Sequence, residues 1–280
     1  MPAVVFEKTE SLFFSTSNTD SNTVVSENGS KITISLDNQL SFPAAAVNLS
    51  LEVSQAVLWN VSPNISTLYN NNKFSYIIAG VTQPEITVPD GLYSLDTLND
   101  FLSREFVNAN QASKLISFTG NISTQRVILT IGQDNVQADF SSADSVGQIM
   151  GFTQGLQPST QENAGFSVES TNEAKFNRVN SYVIKSNLLS GGIPVNNSGL
   201  NILASIPIDV KVGSQIVFTP YNPIKVDAGE LRGKSKGNFW LQLADQDGGY
   251  ISTLGETWSV LIVFRYSMLL TDGSVPLLDL

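Results

Sequence analysis

The chain has 280 residues, 14% of them charged, a formal net charge of −10, and neither Cys nor His. It therefore holds no imidazole base, no Ser-His-Asp or Cys-His machinery, no disulfide, no Fe–S cluster and no Cys- or His-ligated metal. The acid excess argues against a nucleic-acid partner held by bulk electrostatics, and no sequence-specific nucleic-acid contact is expected.

Residues 7–30 are rich in Ser, Thr and Asn around Leu12-Phe13-Phe14, and residues 1–30 read equally as an extended arm ordered by contact with something else or as a disordered terminus. Strand signals begin at Lys31–Leu36, where apolar and polar residues alternate. They continue over Ala46–Trp59, with Val47, Leu49, Leu51 and Val53 on one face, then over Phe74–Ala79 and Glu85–Val88. The period then changes. Leu95, Leu98, Phe101, Leu102 and Phe106 are spaced by three or four, which predicts an amphipathic helix over Ser94–Phe106 with Ser94 as N-cap and Asp96 in its first turn. Strands follow at Lys114–Phe118 and Arg126–Ile131, joined by a Gly-Asn turn at 120–121. A second short helix is expected over Ala143–Met150, stopped by Gly151 with Phe152 packing back. Residues 157–174 read as a linker. Strands return at Val179–Ile184, Leu200–Ile208, Gln215–Phe218, Asn238–Leu243 and Thr257–Tyr266, the last apolar on both faces and so central in its sheet.

About ten irregularly spaced strands with long connections predict an all-β fold, a single jelly-roll sandwich carrying an inserted α+β unit. The expected division is an arm over 1–30, a jelly roll over 31–89 and 157–280, and the insertion over 90–156. No apolar run approaches the ~20 residues of a membrane-spanning helix, so no membrane span is expected. The absence of disulfides favours folding inside a cell.

Candidate chemistry is sparse. Asp245 and Asp247 precede Gly248-Gly249, a pattern a Ca²⁺ loop would use, but the further spaced acids of an EF-hand are absent. A plain hairpin turn, with no metal, is the expectation. The carboxylates Glu85 with Asp90, Asp96 with Asp100, and Glu230 with Asp245 are conceivable acid–base pairs, but turn and capping roles account for several of them. No catalytic residue, no cofactor and no enzymatic activity are expected. Arg232, Lys234 and Lys236 in the Gly-rich stretch 229–237 form a basic loop that departs from a phosphate-binding Walker motif. It reads as a solvated loop, or as one that meets acidic groups of a neighbouring copy or a polyanion. Tyr69, Tyr221 and Tyr250 are possible stacking platforms for a saccharide, as a carbohydrate- or receptor-binding module would need, and ordinary half-buried aromatics otherwise. The leucine-bearing tail at 273–280 either folds back or docks on a neighbour.

Three stretches, Ser205-Ile-Pro-Ile through Val217-Phe-Thr-Pro-Tyr-Asn-Pro223, Phe239-Trp-Leu-Gln-Leu-Ala-Asp-Gln-Asp-Gly-Gly249 and Gly255-Glu-Thr-Trp-Ser-Val-Leu-Ile-Val-Phe-Arg265, resemble the closing part of vertex (penton) capsid proteins. These belong to virophages, Polinton-like viruses and related viruses with double-jelly-roll major capsid proteins. Val88-Pro-Asp-Gly-Leu-Tyr-Ser-Leu-Asp-Thr-Leu-Asn-Asp-Phe-Leu102, together with Ile149-Met-Gly-Phe152, is similar as well. The patches cover about half the chain and carry no catalytic signature. The resemblance implies a homopentamer of single jelly rolls at the vertices of an icosahedral virion, assembled inside the host cell and seated among the major capsid protein. The insertion would lie on the outer surface, where a host receptor is a possible partner. Interfaces are expected within 7–30, 229–237 and 273–280.

Overall fold

The computed structural model describes residues 4–270 except 18, 20, 21, 192, 196 and 197. The expected tail segment 273–280 lies outside the described residues. In chain order, the first four strands are β1 (Val4–Ser15), β2 (Thr23–Ser26), β3 (Lys31–Ser41) and β4 (Val47–Trp59). Next come β5 (Lys73–Ile78), β6 (Val81–Thr82), β7 (Ile86–Thr87), helix α1 (Leu95–Asn108), β8 (Ile116–Asn121), β9 (Arg126–Ile131), β10 (Val136–Asp139), β11 (Leu156–Gln157) and β12 (Ser167–Glu169). The last seven strands are β13 (Ser181–Ser186), β14 (Ile193–Val195), β15 (Ser198–Pro207), β16 (Gln215–Phe218), β17 (Val226–Asp227), β18 (Ser235–Asp245) and β19 (Ser259–Leu270). They fall into two compact units, one from both ends of the chain and one over Ser62–Arg178.

The first unit is an all-β sandwich. One sheet runs β1-β19-β4-β16, with β17 also on β4, and the other runs β14-β15-β13-β18-β3-β2. The antiparallel pairs β3·β18, β4·β16 and β13·β15 are nested in sequence. β18 also pairs with β13, so it lies between β3 and β13. A hairpin folded over on itself in this way is the jelly roll that the strand spacing predicted. Alternation decides which side chains enter the core. Leu49 and Leu51 of β4, Ile262 and Phe264 of β19, Ile32 and Ile34 of β3, and Phe239 and Leu241 of β18 all point inward. On β4 the pattern would fail after Val53, because Ala56 and Leu58 are also buried. The register shifts there, with Ile262 opposite Val53 and Leu261 opposite Gln55, so Ser54 is bulged. One extra residue restores the inward phase for the rest of the strand.

The second unit is α+β with its own core. β5, β6, β7, β10 and β11 make one sheet, and β8, β9 and β12 another. Phe74 and Tyr76 of β5 join Phe106, Phe118 and Phe140 in an aromatic cluster. Helix α1 places Leu98, Leu102 and Phe106 in this core, as the three-four spacing predicted. Ser94 caps it: its hydroxyl accepts from Thr97 N–H, while the Thr97 hydroxyl accepts from Ser94 N–H. Ser94→Ala should lower the stability of this unit by about 1 kcal/mol in denaturant titration, and Ser94→Asp should restore most of the loss. The Asn99 side chain fixes the helix to β8, donating to Phe118 O at 2.6 Å and accepting from Phe118 N–H at 2.8 Å.

Several expectations are corrected. The segment read as an arm is sheet: β1 pairs with β19 along its whole length, and β2 pairs with β3. The inserted unit spans 62–178 rather than 90–156, because the inward face of β5 supplies its aromatic core. The presumed linker at 157–174 contains β12, which completes the sheet of β9. The second helix is only a single 3-10 turn, Val146–Gln148. Gly151 does stop it, at φ 82°, where a Cβ would lie 2.2 Å from the Asn172 carbonyl oxygen. Phe152 packs back onto Phe140 at 5.1 Å between ring centroids. Gly120 and Asn121 belong to β8, and the turn falls at 122–125.

Candidate assembly edge and the predicted site residues

β1 is the terminal strand of its sheet, and among the described residues nothing pairs with its outer side. It is twelve residues long. Leu12 and Phe14 turn inward and pack on the sandwich core, Phe14 edge-to-face with Phe239 at 5.5 Å. Phe13 points the other way and is 65% exposed. Phe6 is half exposed, and Val24 on the facing edge strand β2 is exposed too. Between these edges, Phe13, Phe14, Ile32, Ile34 and Leu36 line an open cleft of about 280 Å³. A strand open on its outer side, with exposed aromatics, offers a row of backbone donors and acceptors plus an apolar contact, which is what a further strand from a second copy requires.

The edge is held firmly to its own sheet. The Tyr266 hydroxyl donates to Glu10 Oε1 at 3.1 Å. Burial, then the hydrogen bond and charge of Glu10, push that phenol above its ordinary range. At the end of β1, Thr16 N–H donates to Trp258 O at 3.0 Å and the Thr16 hydroxyl accepts from Trp258 N–H at 2.9 Å. The indole of Trp258 is buried and donates to Gly29 O at 2.9 Å.

The other predicted residues are mostly structural. Asp245 accepts from Asp247 N–H at 3.0 Å and Gly249 N–H at 2.7 Å, closing its own turn as a hairpin rather than presenting oxygens outward. Glu85 pairs with Lys73 at 3.0 Å. Burial would raise the Asp90 carboxyl, but Thr67 N–H and the Ser66 and Thr67 hydroxyls outweigh it and hold the group below the usual carboxylate range. Glu230 binds the Ser190 N–H and hydroxyl, and the Ser190 hydroxyl is the main reason its carboxyl is lowered. Asp96 sits in the first turn of α1. Most members of the suggested acid–base pairs are thus committed to separate local partners, and Asp100 lies exposed on α1. In the basic loop, Arg232 donates to Gly229 O and Lys236 to Asn187 O, and the exposed Lys234 brings its charge near the Glu230 carboxylate.

Tyr221 stands 97% exposed, more open than an ordinary packed aromatic, and Tyr250 is 62% exposed. Tyr69 is half-buried, with the Arg178 guanidinium 3.8 Å over its ring. The sequence reading missed the role of Asn64. Its amide donates to Tyr93 O and Phe176 O and accepts from Tyr93 N–H, tying three segments of the 62–178 unit together. Burial of an Asn in a polar loop gave no sequence signal.

No protein-family model matches the sequence, and no curated protein matches it. Among solved structures, the mavirus penton protein is similar over 92% of this chain and 99% of that chain, with 11% identity and a TM-score of 0.39.

Proposed function

We propose that the chain is a capsid structural protein that forms homopentamers at the vertices of an icosahedral virion, seated among a major capsid protein and assembled inside the host cell. The single observation that carries the reading is the open twelve-residue edge β1 with Phe13 in solvent, on a single jelly roll. A ring of identical subunits needs a heterologous contact, in which one surface meets a different one on the next copy. A strand edge supplies one half of such a contact, and the surfaces bordering the 229–237 loop are the proposed other half. Three of the stretches that resemble vertex capsid proteins fall on the sandwich, over β15 to β16, β18 and β19, and the other two, Val88–Leu102 and Ile149–Phe152, lie in the 62–178 unit. In this reading the 62–178 unit faces outward and the protein does no chemistry.

Native mass spectrometry of the full chain should show a fivefold multiple of 30.2 kDa. Phe13→Lys should shift the population to monomers without unfolding it, because the side chain is mostly outside the core. A wild-type chain that stays monomeric alone and beside the major capsid protein, or that forms a trimer, would overturn the pentamer. A variant that assembles like the wild type would remove β1 from the interface.

A further inference from the structure

The 62–178 unit carries an open groove of about 870 Å³ that shell-building does not explain. That is ample for an oligosaccharide. Its floor is rigid. The Asn64 amide is spent on Tyr93 and Phe176 backbone groups, and the Asn71 amide accepts from Ser66 N–H and donates to Asn64 O.

The charge along the groove runs against the rest of the molecule. Arg126, Lys175 and Arg178 line it, and no Asp or Glu does. This occurs in a chain with 25 acidic residues against 15 Lys and Arg. Arg126 and Lys175 take no part in the three ion pairs formed among the described residues. Arg178 is held in place by stacking on Tyr69. Cations gathered in a concave, low-dielectric wall focus their field on whatever enters. Around them, the groove offers groups suited to hydroxyls: the exposed amides of Gln125 and Asn177. Ile122, 92% exposed at the same groove, offers an apolar contact of the kind a sugar ring or an acetyl group takes. Amides that can donate and accept, beside a cluster of cations, match a polyhydroxylated anion better than a bare phosphate.

We propose that this groove binds an acidic saccharide, with its anionic group held by Arg126 and Lys175 and its hydroxyls by Gln125 and Asn177. The inference does not depend on the pentamer. A carboxylate from a sialic or uronic acid and a sulfate ester share the required chemistry.

The test titrates the full chain with sialyllactose, with a heparin tetrasaccharide and with lactose, followed by saturation-transfer NMR and calorimetry. At least one acidic probe should bind, with lactose at least about tenfold weaker. Which acidic probe binds more tightly distinguishes the carboxylate from the sulfate source. Arg126→Ala and Lys175→Ala should each weaken binding about tenfold, and added salt should weaken it further. Lys175→Gln, on an exposed side chain, serves as a second variant should Arg126→Ala disturb the fold. Absence of binding by both acidic probes, equal binding of lactose, or unchanged affinity in Lys175→Gln and Lys175→Ala would overturn the proposal.

Discussion

Phe74→Ala should be the most damaging single truncation in the 62–178 unit, with a loss of about 3–5 kcal/mol. The Phe74 side chain is fully buried on β5 and lies within 6.2 Å, centroid to centroid, of Tyr76, Phe106, Phe118 and Phe140. Truncation removes the transfer free energy of a phenyl ring and four ring contacts at once. The surrounding rings come from α1, β8 and the segment after β10, which are anchored separately, so the site cannot collapse cheaply onto the cavity. A chain with two compact units need not unfold in one step. Hydrogen exchange read by mass spectrometry is therefore the proper measurement, with faster exchange concentrated in 62–178. A loss below about 1 kcal/mol, or acceleration confined to the sandwich, would show that the aromatic cluster does not hold the unit together.

Arg265→Ala should destabilise the sandwich by about 3 kcal/mol, and far more than Glu52→Gln does. Glu52 is almost wholly buried on β4, with its side chain 3% exposed, whereas that of Arg265 on β19 is 50% exposed. Arg265 donates to Glu52 Oε1 through both Nε and Nη2, each at 2.8 Å. Removing the arginine strands a carboxylate that has little access to water. Removing the charge of Glu52 leaves a guanidinium that is already half in water, so Glu52→Gln should cost only about 1 kcal/mol. Replacing both together, Glu52→Leu with Arg265→Met, should recover most of the loss, because a matched apolar pair of similar volume strands nothing. Chemical denaturation of the three variants checks the order. Equal losses for the two single changes would mean that the pair is no more than a surface contact.

Much of this architecture was legible because burial and period coincide. The alternation in β3 and β19, the three-four spacing of α1 and the Ser94 cap each record which side a residue faces, and each reappears in the fold. The two strands that were missed at the start of the chain, β1 and β2, fail on the same ground. As edge strands they bury only part of one face, and their Ser, Thr and Asn residues match an unstructured tail in composition. The boundary of the inserted unit was misplaced because β5 alternates as any strand does, and alternation does not say which core its inner face joins. The groove in that unit was less legible still. Arg126, Lys175 and Arg178 are far apart in sequence and look like scattered surface charge until the strands bring them to one wall. Tyr69 alone of that site had been picked out, as an aromatic platform, and it proves to carry Arg178 on its ring.

The pairing of β1 with β19 also sets an order of events. Val4 stands opposite Leu270 and Ser15 opposite Ser259, so β1 finds its partner only once β19, far along the chain, has been made. Contacts so remote in sequence form late, after the loop-closure entropy of the intervening chain has been overcome. Until then the strand proposed to meet a neighbouring copy has no sheet to extend. In the proposed assembly, a chain that stops short of β19 would lack the joining edge, because β1 must pair with β19 before it can meet a neighbouring copy.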